Sequence, residues 1–339
     1  MNPPVQPSSP TIQPSQRISV APMMDWTTRD YRVFARLFNL NIWLYSEMVT
    51  TGAILHGDKA RHLDFDASEQ PLVLQLGGSN PKDLATCSKI AQDWGYAEVN
   101  LNVGCPSDRV QNNKIGACLM AEPELVAECI AAMQQAVDIP VTVKHRIGID
   151  QRQSYEEMLH FVDTVAQTGC HHFIVHARIA LLNGLSPKEN REIPPLRYED
   201  VYRLKQDRPE LTIEINGGIQ TIDAVTEHLN SVDGVMIGRA AYHNPYLLAE
   251  CMTLWQHTPP DRFEIMQQFV PYIERRLAQG ASISFLTRHI LGLFQNMPGA
   301  RKWRQALSGN QAKSLADVIN AMEQMQARLD AAEHCFVPD

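Results

Sequence analysis

The chain has 339 residues, 44% of them hydrophobic, enough for a full-size core and more than one domain. Its apolar residues fall in blocks too short to span a bilayer, and the N-terminus lacks the charged start and apolar stretch of a secretory signal. A formal net charge of −8 does not exclude a polyanionic partner, because binding phosphate requires a local basic patch and not a basic total.

Residues 1–16 (MNPPVQPSSPTIQPSQ) are rich in Pro, Ser and Gln and have little to bury, so a disordered leader is expected there. From residue 17 onward, short β-branched or apolar runs alternate with stretches of helical periodicity. The strand-like runs are 17–22, 42–48, 71–77, 97–104, 141–148, 171–178, 211–218 and 234–240. Between them lie helical patterns such as PKDLATCSKIAQDWG, AEPELVAECIAAMQQAV and SYEEMLHFVDTVAQTG. Ser79 and Asn80 precede the first of these, and Gly95 and Gly169 sit where two of them should stop.

Eight strand–helix units in about 230 residues predict a (β/α)8 TIM barrel over 17–257. A doubly wound Rossmann sheet is the competitor, but no GxGxxG follows the first strand. TPPDR (258–262) reads as a linker. Three amphipathic segments, RFEIMQQFVPYIERRLAQG, SFLTRHILGLFQ and SLADVINAMEQMQARLDAAEHCF, predict a small all-α domain over 258–335.

Seven cysteines, odd in number and irregularly spaced, form no CxxC pair or His/Cys cluster. That argues against a disulfide framework and against a metal site, and for a reducing cytoplasm.

The groups of interest gather at the C-terminal ends of the strand-like runs: Met23 and Met24, Glu47, Gln75, Asn100 and Asn102, Lys144 and Arg146, His176 and Arg178, Asn216 with Gly217 and Gly218, and Gly238 with Arg239. A barrel brings those ends to one face, where barrel enzymes keep their active sites. Asn216-Gly217-Gly218 and Gly238-Arg239, ending strands seven and eight, suit a phosphate. Turns with incidental glycines are the other reading. Lys144, on an interior strand, should meet an anion: a ligand, or a core carboxylate such as Glu47 or Glu98. Cys105 lies in an irregular turn, flanked by Gly104 and Pro106, that presents it to the active face.

APMMDWT (21–27), LQLGGS (74–79), EVNLNVGCPSDRVQ (98–111), VTVKHRIG (141–148), IVHAR (174–178), INGGI (215–219) and VMIGRAA (235–241) resemble the tRNA-dihydrouridine synthases. NLNVGCP is the most specific of these motifs, while NGG and GR occur in other FMN barrels. SPKENREIPPL (186–196) and GARKWRQAL (299–307) resemble the A-type bacterial subfamily, which modifies D-loop positions 20 and 20a. His145 departs locally from the family pattern, where Thr or another small residue is expected.

The resemblance implies an FMN-binding barrel, a C-terminal helical domain and tRNA held between them. By motif it implies FMN contacts from Pro22, Met23, Met24, Gln75, Lys144, His176, Asn216, Gly217, Gly218, Gly238 and Arg239. Cys105 is then the proton donor and Asn102 a contact of the substrate base. NADPH is the implied reductant, with NADH possible. Hydride goes to C6 of the uracil and a proton to C5. A thiol serves as that acid only while protonated, and an ordinary thiol titrates near ~8.5.

The base must be extruded to reach the flavin, and phosphate contacts can offset that cost. Arg275, Arg276, Arg288, His289, Arg301, Lys302 and Arg304 supply a basic run with Trp303 placed to stack on a base, and Lys188 and Arg191 the barrel's share. A solvated helix face is the ordinary alternative. Two rival functions remain: an FMN-dependent dihydroorotate dehydrogenase-like enzyme, and a non-catalytic tRNA-binding factor. Nothing in the sequence demands a protein partner or more than a monomer.

Overall fold

The computed structural model describes residues 16–107 and 114–334. The expected leader up to residue 15, the end of the NLNVGCP motif segment (108–111) and Cys335 lie outside the described residues.

Eight parallel strands close into a barrel in sequence order: β1 (Arg17–Val20), β2 (Trp43–Thr50), β3 (Leu72–Gly77), β4 (Glu98–Val103), β5 (Val141–Arg146), β6 (His172–His176), β7 (Thr212–Asn216) and β8 (Gly234–Ile237), which pairs back onto β1. Each lies within or beside an expected run. Most expected runs overshoot at the C-terminal end because their last residues leave the ladder to form the loops of the site. Parallel strands are covered on both faces, so they read as nearly continuous apolar runs.

Helix boundaries follow capping chemistry. The Asn80 side chain accepts the Lys82 and Asp83 N–H groups at 2.9 and 3.2 Å, with Pro81 at the first turn of the helix Pro81–Trp94. Gly95 ends it at φ 99°, a left-handed conformation that costs glycine nothing. The helix Tyr155–Ala166 starts on a Ser154/Glu157 capping box.

The barrel interior is layered. At the N-terminal ends of the strands Arg17 pairs with Glu98 (2.8 Å) and Glu214 (3.0 Å), over the Trp43 ring at 3.9 Å. Above it Ala21, Tyr45, Val73, Ile174 and Met236 form an apolar plug. The C-terminal layer is polar, and the candidate site lies there.

By packing, the described chain divides into two compact units: the barrel to Arg32 with Ile42–Gly238, and Val33–Asn41 with the chain from Arg239. Within the second unit, Phe34 packs on Phe269 and Phe38 on Tyr246. Its long helices are Arg262–Ala278 and Leu315–His334.

SFLTRHILGLFQ does not form the single helix its periodicity predicts. Only Ile283–Thr287 is helical there, and turns follow. Side chains take the carbonyls a continuing helix would use: the Trp303 indole donates to the Ile290 carbonyl (2.9 Å) and Arg262 to that of Leu293 (2.9 Å). Trp303 itself is 2% exposed and edge-on to Phe294, so it is core and cannot stack on a base. His289, also counted in the basic run, is fully buried against Tyr242.

Among the described residues all six cysteines are free thiols, and no described helix is long and apolar enough to cross a membrane.

Candidate active site

Strand register assembles the upper layer. Asn102 is level with Lys144, Arg146 with His176, and His176 with Asn216. Side chains two apart share a face, so Lys144 and Arg146 point inward while His145 points outward, against Phe161 and Phe173. His145 is fully buried there and its pKa falls to about 4 through loss of hydration. The departure from the family pattern is thus a packing residue of the barrel wall.

Lys144 meets no core carboxylate among the described residues. Glu98 is held by Arg17, and Glu47 accepts the Asp25 N–H at 2.6 Å. The Lys144 ammonium instead donates to Asn216 Oδ1 at 3.1 Å, whose Nδ2 donates to the Met236 carbonyl at 2.8 Å. Burial, then the positive charge of Arg146, lowers the Lys144 pKa to about 7. His176 is pushed well below its ordinary value by burial and by the cations Arg146, Lys144, Arg178 and Arg191, so its imidazole is neutral.

A pH dependence follows. Between about 7 and the ordinary lysine range the unfolded chain carries a Lys144 proton that the folded, flavin-free protein lacks. Stability therefore rises with pH across that window. Urea melts of the flavin-free protein at pH 7 and 9.5 should show the rise, and Lys144→Met should reduce it. An unchanged slope in the variant would contradict the assignment.

Cys105 is half-buried on the loop after β4. Asn102 Oδ1 accepts the backbone N–H groups of Gly104 (3.1 Å) and Cys105 (3.0 Å), and the Cys105 carbonyl accepts the Ala117 N–H at 2.9 Å. Arg146, 3% exposed, donates from Nε to the Gly104 carbonyl (2.9 Å) and from Nη1 to those of Ile179 (3.1 Å) and Asn190 (3.0 Å). It ties the Cys105 loop to the long loop after β6. Buried Asn190 closes that loop on itself through Leu181, and exposed Lys188 and Arg191 flank it. Arg178 likewise donates to the Glu192 and Pro194 carbonyls.

Gly217 and Gly218 have φ of 121° and 72°. A Cβ at Gly217 would lie 2.8 Å from the His176 ring, and the Tyr198 hydroxyl donates to the Gly217 carbonyl at 2.7 Å. A Cβ at Gly238 would meet only ordinary contacts, with Ala21 Cβ at 3.9 Å and Asn216 Nδ2 at 4.0 Å. Arg239 begins the short helix after β8. After β1, Pro22, Met23 and Met24 lead into a turn in which the Met23 carbonyl accepts the Thr27 N–H at 2.9 Å, with Met24 58% exposed. Side-chain-free backbone, a partly desolvated ammonium and a neutral imidazole at one barrel mouth fit a flat ring bearing a phosphate.

Two residues that hold the loops of the site carry no signal in the sequence, and a third, in the other unit, presents an exposed ring. Asn190 lies in the short 3-10 turn Glu189–Arg191 and Tyr198 opens the helix Tyr198–Asp207, and their partners Arg146 and Gly217 lie on other strands or turns. Phe285 is 53% exposed with the Arg288 guanidinium 4.5 Å above its ring.

The fold is a (β/α)8 barrel whose polar layer, at the C-terminal ends of the strands, makes the candidate site. A family model described as dihydrouridine synthase (Dus) matches residues 19–332. The tRNA-dihydrouridine(20/20a) synthase of Shewanella oneidensis is 59% identical over 303 residues, 88% of this chain and 90% of that protein. Its counterpart in Vibrio cholerae is 56% identical over 323 residues, covering 94% and 98%. Among solved structures, a complex of 2-naphthoyl-CoA reductase with 2-naphthoyl-CoA shares the fold, with a TM-score of 0.54 at 12% identity over 70% of this chain and 50% of that one. The chain belongs to the dihydrouridine synthase family, and is an oxidoreductase.

Proposed function

We propose that this protein reduces the C5–C6 bond of uridines 20 and 20a in the tRNA D-loop to 5,6-dihydrouridine, with FMN as cofactor and NADPH as reductant. The observation that carries this reading is the meeting, at one barrel mouth, of the Cys105 loop with Lys144, His176 and the Asn216-Gly217-Gly218 turn. When bound, the flavin supplies the hydride to C6 of the base. Cys105 gives its Sγ proton to C5, and Asn102, which already sets the Cys105 loop, meets the base.

Gly217, Gly218 and Gly238 would hold the cofactor phosphate through their backbone, and Arg239 would supply a guanidinium to it. Lys144, held toward the site by Asn216, would offset negative charge on the ring, and neutral His176 and Gln75 would offer it hydrogen bonds. Pro22, Met23 and Met24 form the apolar side of the ring pocket.

The barrel (17–257) is the catalytic domain, and the helical segment (258–335) binds tRNA. Lys188 and Arg191 on the one, and Arg301 and Arg304 on the other, contact phosphates. The aromatic face suited to a base in the helical segment is Phe285 with Arg288, in place of Trp303. The protein works as a monomer in the cytoplasm.

The direct test incubates the protein with NADPH and an unmodified tRNA transcript and maps uridines that gain two hydrogens by mass spectrometry. Gain at positions 20 and 20a alone supports the reading, and an unaltered transcript refutes it. Removing two phosphate contacts with Arg301→Ala and Arg304→Ala should lower the slope of log affinity against log salt by about 2. An unchanged slope would remove those arginines from the interface.

A further inference from the structure

We propose that Glu98, deep in the barrel, is a positioning residue that fixes the Cys105 loop through a one-way chain of hydrogen bonds. The inference rests on the reading of Cys105 as the proton donor.

The chain starts from a group that only accepts. Glu98, 1% exposed and paired with Arg17, accepts the Thr142 hydroxyl at 2.7 Å. With its hydrogen committed, Thr142 Oγ1 can only accept from Asn100, whose Nδ2 lies at 2.9 Å. That fixes the Asn100 amide, so its Oδ1 faces Gln75 and accepts Nε2 at 2.9 Å. Gln75 is fixed in turn, and its Oε1 accepts Asn102 Nδ2 at 2.7 Å. Asn102 is left with its oxygen on the Gly104 and Cys105 N–H groups.

An isolated amide can turn over with little change of shape. Here, reversing one member sets N–H against N–H or oxygen against oxygen at its neighbour. Thr142, Asn100 and Gln75 are each at most 1% exposed, so no solvent relieves the mismatch. A reversed Asn102 would turn its NH2 group on two backbone N–H groups and release the loop that presents the thiol. Side chains alternate along a strand, which is why Glu98, Asn100 and Asn102 share the inner face of β4.

The test deletes the link that carries the polarity. Thr142→Val keeps the shape and removes the hydroxyl, whereas Thr142→Ser keeps the hydroxyl. Hydrogen exchange of the 104–107 backbone and alkylation of the Cys105 peptide are measured without tRNA, and single-turnover uridine reduction with it. For Thr142→Val the expected result is exchange and alkylation at least about fivefold faster and reduction about tenfold slower, since small misplacements of a reacting group are costly in rate. Thr142→Ser should match the unaltered protein in all of these. Glu98→Leu, which removes the acceptor and leaves Arg17 paired with Glu214, should behave like Thr142→Val. Wild-type exchange and alkylation in a folded Thr142→Val variant would overturn the proposal, as would equal changes in the Val and Ser variants. Failure of the functional reading would appear separately, as absence of dihydrouridine with the unaltered protein.

Discussion

Replacing Cys105 with alanine is expected to slow uridine reduction by about 10²–10⁴-fold, the usual worth of a positioned general acid, while flavin content and tRNA affinity stay unchanged. The selectivity follows from how the loop is held. Its conformation depends on the backbone N–H groups of Gly104 and Cys105 bound to Asn102, on the Gly104 carbonyl bound to Arg146, and on the Cys105 carbonyl bound to Ala117. None of these uses the sulfur. Alanine therefore removes the acid and keeps the loop, and a serine variant should recover part of the rate if it can donate in the same place. Single-turnover reoxidation of the reduced flavin by tRNA gives the measurement. A rate within about threefold of the unaltered protein would assign the proton to another group.

The second large effect is at Gly217. An alanine there must adopt φ near 121°, which adds about 1–3 kcal/mol of backbone strain, and its Cβ would stand 2.8 Å from the His176 ring. The imidazole or the turn has to move, and both belong to the proposed flavin site. Gly217→Ala should be purified largely without flavin and melt at lower urea. Gly169→Ala separates the two causes, because Gly169 also has a positive φ, 89°, but a Cβ there meets nothing within 4 Å. That variant should lose stability and keep its flavin. If Gly217→Ala also kept a full complement of flavin, the turn would not be part of the cofactor site.

The barrel was legible because interior parallel strands must be apolar on both faces, which leaves eight recognisable blocks and displaces the polar residues to their ends. The candidate site was legible for the same reason. What one dimension hid is how donors are spent. Arg146 stands out in the sequence only as a residue at a strand end, and the structure commits three of its N–H groups to the carbonyls of Gly104, Ile179 and Asn190. Trp303 among arginines reads like a stacking surface, although the spacing Ala300, Trp303, Leu307 marks the inward stripe of its helix, where all three are buried. The β4 alternation that aligns Glu98, Asn100 and Asn102 was also visible, whereas their partners Thr142 and Gln75 belong to neighbouring strands and emerge only with the register.

Reduction of uridine in tRNA by Cys105 and a flavin at the barrel mouth is the activity proposed for this protein. It is tested most directly by reducing the bound chromophore without oxygen and following its absorbance as tRNA lacking dihydrouridine is added, with orotate in a parallel cuvette. Rapid reoxidation by the tRNA and none by orotate is the predicted result. Reoxidation by orotate alone, or a purified protein that holds no flavin, would contradict it.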